Sequence, residues 1–196
     1  MRLLSFASRY PEPARLITPR TLLRRPHSND YHAWARLRRD SADFLRPFEP
    51  AWTPDELSKS AFRARLRRQE ADIASGRGLP WFLFLREDED TLIGGLTISN
   101  IRRGVAETGT LGYWMGRAYA HKGYMKEALL AVCEDVFSVH RLHRIEAATV
   151  PENTQSQGLL KKCGFQEEGR ARNYLRINGV WRDHILYARL ADDTVA

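Results

Sequence analysis

Hydrophobic positions along the chain fall into blocks with a helical period and blocks that alternate or run continuously, and these blocks predict the elements. Arg20-Thr21-Leu22-Leu23-Arg24-Arg25-Pro26 reads as a short first strand. From Asn29 to Arg39, Tyr31, Trp34, Ala35 and Leu37 have roughly helical spacing. Phe44-Leu45-Arg46-Pro47-Phe48-Glu49-Pro50 is predicted to be a loop, because its two prolines exclude a helix interior. Thr53-Pro54-Asp55-Glu56 combines a capping residue, a first-turn proline and acids, so a helix is predicted from there to about Gly76. Leu79 to Leu85 and Thr91 to Ile98 flank a charged turn and read as an antiparallel hairpin, followed by a strand from Gly109 to Met115. After Gly123, Met125, Leu129, Val132, Val136 and Phe137 form one apolar stripe of a helix. Arg144 to Val150 is a strand, and Asn153 to Cys163 is a short helix closed by Gly164. Strands from Gly169 to Ile177 and Val180 to Leu190 flank Asn178-Gly179, a strong hairpin signal.

The resulting order is β-α-α-β-β-β-α-β-α-β-β, without an internal repeat or a dividing linker. It predicts an α/β (α+β) fold: a single domain with one mixed, mostly antiparallel sheet of about seven strands, flanked by about four helices. Prolines 11, 13 and 19 mark residues 1–18 as an extended arm, leaving 19–191 as the domain and 192–196 as a tail.

Composition narrows the function classes. The 196 residues are 43% hydrophobic and 28% charged, as in an ordinary soluble domain. No apolar run approaches the ~18 residues of a membrane span. Met1 to Arg9 has a basic start but too short an apolar stretch for a secretory signal. Cys133 and Cys163 lack zinc-ligand spacing and sit at apolar positions of predicted helices, so buried free thiols in a reducing cytoplasm are expected, and no metal. The net charge of +7 suggests a polyanionic partner, for which coenzyme A and ribosomal RNA both qualify. The densest basic run, Phe62-Arg63-Ala64-Arg65-Leu66-Arg67-Arg68, reads equally as a solvated helix face and has no interleaved stacking aromatics.

Chemistry concentrates where the strand ending at Met115 passes through Arg117-Ala118-Tyr119-Ala120-His121-Lys122-Gly123-Tyr124-Met125-Lys126 into a helix. A strand, a basic loop with glycine and a helix N-terminus together form an anion trap, because first-turn N–H groups lack intrahelical partners and the dipole favours negative charge. Lys122 precedes the glycine and no hydroxyl follows, so this is not the phosphate loop of nucleotide hydrolases.

This loop resembles the coenzyme A-binding motif of the GNAT acetyltransferases, Gln/Arg-x-x-Gly-x-Gly/Ala, with Ala120, Gly123 and Met125 at its marked positions. Ala120 and Met125 depart from the motif. Asn153-Thr154-Gln155-Ser156-Gln157-Gly158-Leu159-Leu160-Lys161-Lys162-Cys163-Gly164-Phe165 is similar to the family's Asn-x-x-Ser/Ala helix ending in Gly-Phe. The loop from Phe44 to Pro50, Ser99-Asn100-Ile101-Arg102-Arg103-Gly104, the segment His140 to Ile145, and the run from Glu168 through His184 resemble the RimJ-like ribosomal-protein alanine N-acetyltransferase branch.

The resemblance implies acetyl-coenzyme A as cosubstrate, with Trp114 and Met115 flanking the thioester and strand-end N–H groups polarising its carbonyl. The backbone of His121, Lys122, Gly123, Tyr124, Met125 and Lys126 would hold the pyrophosphate. Asn153 would contact the pantetheine arm, cap its helix, or both. Ser156 is the candidate acid for the departing thiolate, against a local capping role, because the position one turn on is Leu160 rather than tyrosine. Glu49 is the candidate base and Glu107 a second one, while the family's other base positions fall on Ala148 and Leu175. Asp183 and His184 are strand neighbours and face opposite sides, which excludes a dyad.

The implied acceptor is the N-terminal α-amine, alanine by analogy, of a small-subunit ribosomal protein. A small-molecule amine or antibiotic as acceptor, or a non-catalytic ribosome- or RNA-associated role, is the alternative on the sequence, and in each case a monomer or homodimer without membrane attachment is expected.

Overall fold

The structure, a computed structural model, describes residues 10–194. The Met1 to Arg9 reading, the first half of the predicted arm and residues 195–196 of the predicted tail lie outside the described residues. The elements are β1 (Leu16–Ile17), β2 (Thr21–Arg24), α1 (Tyr31–Asp40), α2 (Ala42–Leu45), α3 (Lys59–Ala74), β3 (Leu79–Leu85) and β4 (Leu92–Arg102). They continue as β5 (Thr108–Met115), α4 (Tyr124–Ser138), β6 (Arg144–Thr149), α5 (Thr154–Lys162), β7 (Gln166–Ile177) and β8 (Val180–Leu190). Among the described residues this makes the predicted seven strands plus the two-residue β1, and the predicted four helices plus the one-turn α2.

Two local expectations change. Helix α3 begins at Lys59 rather than near Thr53: the Ser58 hydroxyl caps it by accepting from Ala61 N–H at 3.1 Å. The Thr53 hydroxyl instead donates to the Asp55 carboxylate at 2.8 Å, so the Thr53 to Ser58 stretch folds as separate turns. The segment predicted as a wholly irregular loop contains the end of α2 and a 3-10 turn, Arg46–Phe48. Pro47 fits there because first-turn N–H groups have no intrahelical acceptor to lose.

The sheet order is β1-β2-β3-β4-β5-β6-β8-β7. Every pairing is antiparallel except β5 with β6. Side-chain alternation sorts the core onto two faces. On β3, Trp81 and Leu83 join Leu129, Val132 and Leu160 on the α4/α5 face. Phe82 and Phe84 join Trp34 of α1 and Phe62 of α3 on the other. This explains the unbroken apolar run of β3: a central strand covered on both faces needs hydrophobic residues at every position. Each such fully buried side chain contributes about 1.5–3 kcal/mol.

One irregularity positions everything that follows. Strands β5 and β6 are in register only at Thr108 with Arg144, Gly109 with Ile145 and Thr110 with Glu146. Beyond that rung β5 stays with β4 and β6 with β8, so the sheet splits into a wedge.

Candidate active site

The wedge opens a groove of about 1230 Å³ that runs through the sheet from one face to the other. The hydrogen-bond parity of its edges follows from two bonds. Gly116 N–H donates to Ile93 O, so Trp114 and Gly112 turn their backbone groups toward β4, and Leu111, Tyr113 and Met115 turn theirs into the gap. Ala191 N–H donates to His143 O, which by the same alternation aims the Ala148 backbone into the gap from β6. The groove is therefore edged by free peptide donors and acceptors of the kind an extended amide-containing ligand needs.

On the α4/α5 face the floor is the start of α4. Gly123 is its N-cap at φ +84°, with no side chain capping it, so the first-turn N–H groups of Tyr124, Met125 and Lys126 stay available. A Cβ at Gly123 would approach only the Arg20 guanidinium, at 3.2 Å, so glycine is required there by its backbone conformation rather than by space. His121 is left-handed too, at φ +62°. His121, Gly123, Tyr124, Met125 and Lys126 line the groove; Lys122 does not, and its carbonyl accepts from Arg20 at 3.1 Å. Arg20 is clamped in turn by Glu127, in the first turn of α4, which ties β2 to the loop. Burial pushes the Glu127 carboxyl up, but hydrogen bonds from Thr18 and Arg20 outweigh it and hold the group below its usual range.

Also on this face, Asn153 caps α5 by accepting from Ser156 N–H at 3.1 Å while lining the groove. The Ser156 hydroxyl lies 2.6 Å from the Tyr113 phenol, across the gap rather than on its own helix. Burial, opposed by the Ser156 hydrogen bond, pushes the Tyr113 phenol up to about 12, so it stays protonated. Tyr113 was not among the residues singled out from the sequence. Strand alternation carried the signal, since Tyr113 and Met115 must face the helix side if Trp114 faces away.

Trp114 indeed faces α1, with its ring 6.4 Å from Phe82 and edge-on, and 5.2 Å from the Arg38 guanidinium. Met115 is buried on the opposite face. Arg38 is buried, grips Glu49 with two bonds of 3.1 and 2.6 Å, and lies over Trp52 at 4.6 Å. Trp52 Nε1 donates to the same carboxylate at 2.7 Å. Burial, and then the neighbouring Arg38 charge, pull the Arg65 guanidinium below its usual range. Glu49 thus lines the groove with both oxygens already engaged. Glu107 is elsewhere: it accepts from Gly104 N–H in the β4–β5 turn.

The opposing wall on this face is the β7–β8 hairpin. Asn178 N–H donates to Glu49 O at 2.8 Å and joins the hairpin tip to the Glu49 loop. Tyr174, Leu175 and His184 line the groove, while Asp183 turns away to Arg170 and Asn173 N–H. Ala148 lines the groove from β6 without any titratable group. Both cysteines are free and buried, and burial pushes Cys133 up to about 12. Among the described residues, no group of three or more His, Cys, Asp or Glu side chains could hold a metal, and no helix is long and apolar enough to cross a membrane.

A split sheet whose groove passes an uncapped helix start on one face and reaches Trp114 on the other has room for two ligands approaching from opposite sides. Residues 20–166 match the acetyltransferase (GNAT) domain family, and the chain belongs to that family. It is an N-acetyltransferase, and the free edges and open helix start fit the acetyl-coenzyme A that the family uses as cosubstrate. Among curated proteins it is 35% identical over 191 residues to the ribosomal protein uS5-alanine N-acetyltransferase of Escherichia coli (strain K12), covering 97% of both chains. Among solved structures it is similar to Mycobacterium smegmatis RimJ in complex with CoA-disulfide, with TM-score 0.83 and 33% identity over 88% of this chain and 82% of that one. It is likewise similar to the ribosomal-protein-S5-alanine acetyltransferase from Vibrio fischeri, with TM-score 0.85 and 29% identity over 92% of this chain and 98% of that one.

Proposed function

We propose that the protein acts in the cytoplasm, transferring acetyl from acetyl-coenzyme A to the N-terminal α-amine, alanine by preference, of a small-subunit ribosomal protein. The observation that carries this reading is the two-faced groove, supported by the near full-length likeness to a uS5-alanine acetyltransferase. A chain terminus entering from the Trp114 face meets the thioester at the gap without displacing the coenzyme. Phe48 is exposed and lines the groove, and the exposed Val180 and Trp181 lie on the hairpin that Asn178 joins to the Glu49 loop; such apolar surface suits a peptide better than a small polar amine.

In this reading the first-turn N–H groups of α4 take the pyrophosphate, and the Met115 N–H, aimed into the gap, polarises the thioester carbonyl. Asn153 and the Ala148 backbone meet the pantetheine amides. Ser156 gives its proton to the departing sulfur and is backed by the protonated Tyr113 phenol. Glu49 acts as a positioning residue: protonating it would break its bidentate bond to a buried guanidinium, so holding the acceptor loop is the role its partners favour.

The test is release of coenzyme thiol from acetyl-coenzyme A with a short peptide beginning with alanine, compared with the same peptide N-terminally blocked. Release with only the free peptide is expected. Equal rates with both, or release only with small polyamines or aminoglycosides, would discard the reading.

A further inference from the structure

Resting on the acyl-transfer reading above, we infer that His184 is the group that takes the acceptor amine's proton, a catalytic base that needs no pairing with Asp183. His184 is only 2% exposed, yet it lines the groove. Its Nδ1 lies 3.0 Å from the Arg182 carbonyl, an oxygen that can only accept, so Nδ1 carries the hydrogen and Nε2 keeps a lone pair. Nε2 has no hydrogen-bond partner among the described residues. The Tyr174 ring meets the imidazole edge-on at 5.7 Å and holds its plane. With Nδ1 held by the Arg182 carbonyl, Nε2 is left open to the groove, where a ligand can meet it.

Its place in the sheet is what the reaction needs. On β8, Tyr187 and Ile185 face the α4/α5 core, so His184 and Leu186 face the acceptor side with Trp114. Leu186 is the register partner of Ala148, and His184 is one same-face step beyond it, at the mouth of the gap. The charges around it are already committed. Arg182 pairs with Glu152, Glu49 with Arg38, and Glu146, further down β6, with Arg144. From β7, Tyr174 touches the ring, while Glu168 is paired with Arg144 and Arg176 donates to Gly179 O. Among the described residues these leave Nε2 as an uncommitted proton acceptor on this wall.

The protons and electrons balance with groups already named. The ammonium of the incoming terminus loses one proton to Nε2, and the freed lone pair forms the N–C bond to the thioester carbonyl carbon. The C–S bond breaks with its electron pair on sulfur, which takes the Ser156 proton. The second amine proton restores Ser156 through solvent, and the imidazolium returns its proton to water. The net products are the amide, the thiol and one proton. Because a terminal amine has a pKa of ~8, this assistance matters most near pH 7 and fades where the amine is already neutral.

The test is kcat/KM against pH for wild type and for His184→Asn, which retains a donor near the Nδ1 position, using the alanine peptide. Expected is a loss of about 100-fold at pH 7 that shrinks severalfold by pH 9, with coenzyme affinity unchanged. A uniform loss at every pH, or no loss, overturns the proposal. His184→Gln provides the same comparison if the Asn variant folds poorly, as judged by coenzyme binding. Nitrogen-15 NMR of the wild-type imidazoles reads the tautomer without any turnover: an Nε2–H tautomer overturns the base role even if no acceptor is found. An inactive wild type with an Nδ1–H His184 would instead fault the acceptor reading, leaving the imidazole assignment standing.

Discussion

The walls of the groove proposed for the coenzyme and for the acceptor are built in different ways. On the coenzyme wall, His121 to Lys126 and Asn153 to Ser156 are two contiguous segments, each a loop entering a helix, and their functional atoms are mostly backbone N–H groups and caps. On the wall proposed for the acceptor, Arg38, Glu49, Trp114 and His184 come from α1, a proline-bounded turn, β5 and β8; Arg38 packs on Glu49 and Trp114, and His184 on Tyr174. Backbone donors at a helix start are fixed by local conformation, so that wall is tolerant of its side chains. The acceptor wall has no such local determinant, and its shape depends on a buried ion pair and the aromatic rings around it.

The most disruptive way to break this comparison is Arg38→Ala. It leaves the Glu49 carboxylate without its buried partner and should cost about 3–5 kcal/mol, read by urea denaturation. A loss below 1 kcal/mol would mean the acceptor wall is not organised around this pair. Next in size, Ser156→Ala should lower kcat by about 100-fold with coenzyme affinity unchanged, measured by thiol release and calorimetry. Since the Tyr113 phenol is pushed up to about 12, no limb of the wild-type pH profile below pH 11 should arise from it. Gly123→Ala strains the left-handed N-cap and should weaken coenzyme binding by about 1–2 kcal/mol, roughly tenfold, with the acceptor KM unmoved. Glu127→Gln should cost about 1 kcal/mol at neutral pH. The sign follows from its lowered pKa: the stabilisation is present above the carboxyl's unfolded value and is lost as pH falls through the folded one, so wild type and variant should converge in acid. Smallest of all, Trp181→Ala, at a ring 59% exposed, should leave stability within about 0.5 kcal/mol while raising the peptide KM about fivefold.

The same division governs how legible the protein is in its sequence. The apolar stripe of α4, the Asn178-Gly179 turn and the Gly123 helix start are local patterns with local causes, and each stands in the structure where periodicity or turn chemistry puts it. Helix α3 was misplaced at its start because Thr53 and Ser58 both qualify as caps by residue type, and only the hydrogen bonds each hydroxyl makes distinguish them. Glu49 reached the groove as expected, but its engagement by Arg38 and Trp52 depends on residues from another element and from beyond the turn. The alternation rule correctly separated Asp183 from His184, yet an imidazole anchored through Nδ1 and opening on the groove was invisible until β7, β8 and the gap were assembled. Tyr113 is a similar case, since its meaning depends on an α5 hydroxyl 43 positions away. What the sequence by itself determined is therefore the order of elements, the sheet flanked by helices and the glycine-led start of α4, because these follow from short-range periodicity and backbone geometry. Only the tertiary structure decided where β5 leaves β6, and hence which side chains from distant strands meet at the opening, because that parting is set by competition between non-local strand pairings.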